Sequence, residues 1–138
     1  LIAQKTCRVP DSSYCDQPLL KKTHGRDSWM AISPEGKPSL TKFKCVHQGP
    51  TLAYLEAKPV TGRTHQIRVH AAFLGWPILG DQKYNRLQSP DNYQGTAMML
   101  HAMQVSFRCP LTKQKRFFSA PIPQEMNQWL DTLKKPTA

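Results

Sequence analysis

Long apolar runs are missing: nothing in the 138 residues approaches the roughly 18 consecutive hydrophobic residues that a bilayer-spanning helix needs. Cysteine is sparse. Cys7, Cys15, Cys45 and Cys109 are widely spaced with no C-x2-C pair, which argues against a zinc ribbon and against a dense disulfide framework. Free thiols in a reducing cytosol are the simplest reading, and a cytoplasmic protein is expected. There is no G-x-S-x-G elbow, no glycine-rich phosphate loop and no G-x-G-x-x-G turn, so hydrolase, kinase and dinucleotide-binding classes have no foothold. Internal repeats and low-complexity segments are also missing.

Acidic residues are the other shortage. Nine Asp+Glu stand against nineteen Lys+Arg, a formal net charge of +10, which favours nucleic acid, an anionic membrane or an acidic protein as partner. The five histidines do not form a metal motif: His65 and His70 diverge on a helix, and no glutamate follows His65. No metal is expected. The length suits a single domain able to bury roughly two thirds of its unfolded surface, enough for a core without metals or disulfides. Leu1-Ile2-Ala3-Gln4-Lys5 is too short and too soon charged for a secretory signal. It reads as a strand joined midway, with an N-terminal portion expected before it.

What is present has a legible order. Residues 10–38, punctuated by Pro10, Pro18, Gly25, Pro34, Gly36 and Pro38, predict a winding, loop-rich opening segment. From Ser39 a period-two pattern sets in, with Thr41, Phe43 and Cys45 alternating with Lys42, Lys44 and Val46. Gln48-Gly49-Pro50 turns it, and Leu52 to Lys58 returns as the second strand of a hairpin ended by Pro59. A helix is predicted from about Thr64 to Leu74, stopped by Gly75 and Pro77. Its Ile67, Ala71 and Leu74 make the buried face, while Thr64, His65 and Arg68 share another.

Residues 80–97 read as a long loop. Met98 to Phe107 and Lys115 to Ser119 predict a second hairpin, with Met99, His101, Met103, Val105 and Phe107 facing one way. Met126, Trp129, Leu130 and Leu133 then fall at helical spacing within Pro123 to Lys135. Antiparallel hairpins separated by helices predict an α+β fold, mainly antiparallel sheet with flanking helices.

The densest chemistry lies in Gly62-Arg63-Thr64-His65-Gln66-Ile67-Arg68-Val69-His70. Arg63, His65, Gln66 and Arg68 carry donors suited to phosphate or carboxylate, and arginine can pair bidentately. A partly buried arginine needs a counter-charge, since an unpaired buried charge costs several kcal/mol, roughly. Asp81 is the acidic candidate inside the chain, so a plain structural Arg68–Asp81 ion pair stands beside the reading in which Arg68 holds a site's working charge. The other lysines and arginines are scattered as on a phosphate-tracking or merely solvated face.

That run, with Gly75-Trp76-Pro77-Ile78-Leu79-Gly80-Asp81 and Tyr84 beyond it, resembles the signature of the RluA-type pseudouridine synthases. Gly36-Lys37-Pro38-Ser39, Leu100-His101-Ala102 and Phe118-Ser119-Ala120-Pro121 extend the resemblance over nearly the whole chain. It implies a portion of one catalytic domain and an isomerase that detaches uracil from N1, rotates it and rejoins it to the ribose through C5, without cofactor or metal. It further implies that Arg68 pairs with the catalytic aspartate, that Leu100 lies beside the target base, and that Arg63, Thr64, His65 and Gln66 line the cleft or meet RNA phosphates. The partner implied is RNA, ribosomal RNA ahead of transfer RNA, with no membrane.

Two family features have no counterpart here. No H-R-L-D-x-x-T-S-G string, which carries the family's aspartate, occurs, and Leu1 stands where the frame of a Y-x-A segment would place the active-site tyrosine. None of the nine acidic residues is assigned as nucleophile. The expectation is therefore the C-terminal part of a catalytic domain, inactive alone and prone to self-association through exposed sheet edges. The rivals are a non-catalytic RNA-binding module of the same fold and a basic ribosome-associated structural protein.

Overall fold

A computed structural model describes residues 1–87 and 93–135. Its centre is a four-stranded antiparallel sheet in the order β1-β6-β5-β2, formed by β1 (Ile2–Gln4), β2 (Ser12–Cys15), β5 (Thr41–Gln48) and β6 (Leu52–Pro59). β5 shows why the sequence folds this way: Thr41 and Phe43 are buried while Lys42 and Lys44 are exposed, the half-buried alternation its pattern predicts. A register shift between Cys45 and His47 interrupts the ladder, leaving Val46 exposed. Helices α1 (Gln66–Phe73) and α2 (Gln124–Lys134) both pack on β5 and β6. Met126, Leu130 and Leu133 of α2 enter the main core beside Ile2, Leu55, Trp76 and Ile78. The α+β fold read from the pattern is the fold observed.

The opening segment differs from its expectation. Residues 10–38 hold β2 and a second hairpin, β3 (Leu19–His24) with β4 (Asp27–Ile32). The proline and glycine punctuation sits between strands rather than replacing them. His24 pairs with Asp27 across a two-residue loop whose Gly25 has φ 60°, the conformation a tight hairpin turn requires. Strands as polar as Lys21-Lys22-Thr23-His24 leave little hydrophobic alternation to read.

Two further boundaries move. The helix begins at Gln66 rather than Thr64, because His65 adopts a left-handed conformation (φ 52°) that no α-helix propagates. Its end is as predicted: the Gly75 and Trp76 amides donate to Ala72 and Ala71 carbonyls with Gly75 at φ 85°, a Schellman closure that glycine makes without strain. The strand predicted over Met98 to Phe107 is confined to β7 (Gln104–Arg108), paired with β8 (Lys115–Ser119). Met99 instead bridges the core, donating to the Leu79 carbonyl and accepting from the Ile2 amide. Part of the predicted 80–97 loop, including Pro90, lies outside the described residues. All four cysteines are free thiols. Among the described residues no helix is long and apolar enough to cross a membrane.

Candidate active site

The segment before α1 is fixed to the sheet by a buried glutamine. Gln66 Nε2 donates to the Leu40 carbonyl (2.9 Å) and Thr41 Oγ1 (3.0 Å), and its Oε1 accepts from Thr61 Oγ1 (2.7 Å) and the Arg63 amide (3.0 Å). With both ends engaged and only 3% of its surface exposed, Gln66 organises the Thr61–Arg63 turn. His70, one helical turn on, is wholly buried. Its Nε2–H donates to the Gln17 carbonyl (2.9 Å), so Nδ1 accepts from Thr41 Oγ1 (2.8 Å) in the neutral ring. Burial holds its pKa below the usual histidine value and so favours that neutral form.

Arg68 meets Asp81 edge-on. Nε donates to Oδ2 and Nη2 to Oδ1, each at 2.9 Å, a bidentate pair whose carboxylate is inaccessible to solvent and whose guanidinium side chain is 17% exposed. Oδ1 also accepts the amides of Lys83 (3.0 Å) and Tyr84 (3.1 Å). Burial alone raises the Asp81 pKa, but the Arg68 hydrogen bonds and the two amides outweigh it and hold the carboxyl below its ordinary range. The structural Arg68–Asp81 pair left open by the sequence is thus formed.

Asp81 is carried into place by Gly80 at φ 79°, where a Cβ would come within 2.2 Å of the Ala97 carbonyl oxygen. Only glycine fits there.

Tyr84 joins the site's parts. Arg68 Cζ lies 4.9 Å from its ring centroid, a cation–π contact. Its hydroxyl accepts from the Met30 amide (3.0 Å), which leaves its own hydrogen for His65 Nδ1 at 2.8 Å. His65 and Tyr84 rings also meet edge to face at 5.5 Å. Burial first, then the charges of Arg68 and Lys83, lower the His65 pKa below its ordinary value. Lys83 Nζ donates to the Ser28 carbonyl (2.7 Å), so the β3–β4 hairpin is stapled to the site twice.

Of the residues singled out from the sequence, Arg68 and His65 therefore share one cluster. Arg63 is exposed nearby, with Nε on the Pro38 carbonyl (3.2 Å), and Thr64 is exposed beside it. Leu100 packs, partly buried, against the main core. Tyr84 and Lys83 were given no role in advance. The signal was the D-x-x-Y spacing, since an aspartate accepting the amides two and three residues on is a turn-forming arrangement. Among the described residues no three His, Cys, Asp or Glu side chains gather as metal ligands.

The antiparallel α+β fold of this chain is shared with solved pseudouridylate synthase domains. Human RNA Pseudouridylate Synthase Domain Containing 1 superposes with a TM-score of 0.71 at 25% identity, over 98% of this chain and 64% of that one. Human RNA Pseudouridylate Synthase Domain Containing 4 matches in fold, with a TM-score of 0.75 at 19% identity, over 96% and 60%. The RNA pseudouridylate synthase family profile matches residues 4–73, and the chain belongs to that family, in its RluA-type branch. Curated relatives include ribosomal large subunit pseudouridine synthase C of Vibrio vulnificus (34% identical, 95% of this chain) and of Yersinia pestis (38%, 89%). The chain spans 40% and 41% of the lengths of those two relatives.

Proposed function

We propose that this chain forms the arginine-bearing part of a pseudouridine synthase catalytic domain that isomerises uridines in ribosomal RNA in the cytoplasm, and that the reacting carboxylate comes from outside these 138 residues. The observation that carries this reading is the state of Arg68. Asp81 occupies its Nε–Nη2 edge and Tyr84 stands against its plane, while Nη1 has no hydrogen-bond partner among the described residues. That free edge is where a second carboxylate would dock. Because Asp81 and Tyr84 already fix the guanidinium, a carboxylate on Nη1 would be oriented and kept ionised without reorganisation when the glycosidic bond breaks.

In this reading Leu100 supplies an apolar wall beside the target base. His65, Arg63 and Thr64 lie where the RNA backbone enters, and Gln66 acts through the turn it holds. The chain by itself makes no pseudouridine and self-associates. Part of its sheet edge is already covered, since β1 is bridged through Ala3 and Ile78, so the outer edge of β2 is the place for pairing. Dimers in sedimentation velocity, lost on a Tyr14→Pro change at a β2 position whose amide faces away from β5, are the expected result.

The decisive experiment is Arg68→Ala in the full-length protein, with pseudouridine mapped base by base in ribosomal and transfer RNA. Turnover should fall on the order of a hundredfold or more, with RNA affinity nearly unchanged. A parallel loss of affinity and turnover would make Arg68 an RNA contact and favour the non-catalytic binding module. Pseudouridine formed by the 138-residue chain would overturn the external carboxylate. A map confined to transfer RNA would replace the ribosomal substrate.

A further inference from the structure

Strands β7 and β8 form a two-stranded sheet of their own, exposed along their whole length. Residues directly opposite in an antiparallel pair share a face. Their register therefore sorts the side chains into two surfaces. On one lie Val105, Phe107, Arg116 and Phe118, with Phe107 and Phe118 stacked at 6.0 Å and 17°. On the other, Phe117 stands alone opposite Ser106, 60% exposed, with Gln104 and Ser119 to one side and Arg108 opposite Lys115 to the other.

The second surface is unusual in two ways. Arg108 and Lys115 are like charges set directly across from each other, which destabilises a bare hairpin. No relief is at hand in sequence, because no Asp or Glu occurs between Asp91 and Glu125 while Arg108, Lys113, Lys115 and Arg116 all do. A polyanion would remove that repulsion. An exposed aromatic ring ringed by hydroxyls, an amide and two cations also matches what an unpaired nucleotide offers: a π-face, polar edges and a phosphate on each side.

We propose that this face of the β7–β8 hairpin is a binding surface for a single-stranded stretch of RNA, with one base stacked on Phe117 and the flanking phosphates held by Arg108 and Lys115. The proposal rests on the RNA-modifying reading above but concerns a surface apart from the Arg68 cluster. The face bearing Phe107 and Phe118 has no part in it.

The test is fluorescence anisotropy of the 138-residue chain with labelled oligouridylate, and with a duplex RNA of equal charge, over a range of salt. Phe117→Ala should weaken oligouridylate binding about tenfold or more, with Phe117→Tyr restoring it and Phe118→Ala changing it less than twofold. Duplex binding should change less than twofold in Phe117→Ala. Arg108→Ala with Lys115→Ala should flatten the salt dependence by between one and two units of slope.

Equal losses in Phe117→Ala and Phe118→Ala would mark a hairpin that merely lost stability, and would overturn the proposal. So would an equal loss for duplex. Poly-glutamate bound as tightly, with the same sensitivity to Phe117→Ala, would make the occupant an acidic protein. RNA binding that ignores Phe117 refutes this surface and leaves the proposed function standing, whereas no RNA binding by the unaltered chain counts against both.

Discussion

Around Arg68 the side chains are held before any partner arrives, whereas along β7 and β8 all five residues of each strand are exposed and, among the described residues, each pairs with the other alone. The first region joins α1, the Gly80–Tyr84 turn and the β3–β4 hairpin through a buried carboxylate, a tyrosine and a lysine. The second has a cross-strand like-charge pair and no buried side chain. In the proposed function a reaction needs donors whose orientation costs nothing at the moment of bond breaking, and a fixed arginine meets that need. A surface that follows an irregular polymer tolerates ordering on contact, and belongs to the least stable parts of a fold.

The comparison breaks most directly at Asp81. Asp81→Ala leaves Arg68 half buried without its counter-charge and frees the Lys83 and Tyr84 amides. Removing one partner of a buried pair costs about 3–5 kcal/mol, which should appear as a lower urea midpoint at unchanged slope. A loss below about 1 kcal/mol would mean that the pair is solvated and the guanidinium is not preorganised.

Gly80→Ala should come next. A left-handed φ costs a non-glycine residue of order 1–3 kcal/mol, and here the new Cβ also meets the Ala97 backbone oxygen, so the Asp81 turn must shift. Loss of the Arg68–Asp81 geometry should accompany the loss of stability. An unshifted Arg68 guanidinium resonance in the variant would show that the turn yields without disturbing the pair.

These two residues also show what the sequence discloses. Arg68 and Asp81 were visible as a possible pair because the charge of a buried arginine must be met, and few acidic residues were available to meet it. The β5–β6 hairpin and α2 were visible because half-buried elements write their periodicity into composition. Tyr84 was not, since a hydroxyl that links Met30 to His65 depends on two elements meeting in space. The burial of Gln66 was not legible either: an amide in a run of arginine and histidine looks like a surface donor until Leu40, Thr41 and Thr61 surround it. The β3–β4 hairpin escaped because Lys21 to His24 of β3 are polar and exposed and carry no hydrophobic alternation.

Acid should sharpen the contrast more gently. His70 is buried and neutral with its pKa depressed, so the unfolded chain binds its proton first as pH falls. The stability it contributes is complete above the unfolded value of about 6.5 and declines below it, by at most about 1.4 kcal/mol per pH unit, until the folded pKa is reached. His65, also depressed, adds in the same direction. The Asp81 contribution runs the same way at lower pH, present above about 3.9 and lost as pH falls through its depressed folded value. Thermal melts between pH 7.5 and 5.5 should therefore drop in the parent and flatten in His70→Asn. A melt independent of pH in the parent would mean that His70 binds its proton equally in the folded and unfolded states.

The smallest effect expected is at Phe117. Its ring is 60% exposed and opposite Ser106, so truncation removes little buried area, and an exposed change of this kind lies within about 0.5 kcal/mol. Phe117→Ala should melt within a degree or two of the parent while Asp81→Ala melts far lower. That silence in stability is what the comparison requires: a side chain kept large, aromatic and exposed without contributing to the fold is free to serve contact with something else. If Phe117→Ala instead destabilised the chain by 2 kcal/mol or so, a scale reserved for buried groups, the hairpin would be packed in solution, and the division between a fixed site and an open surface would fail at that point.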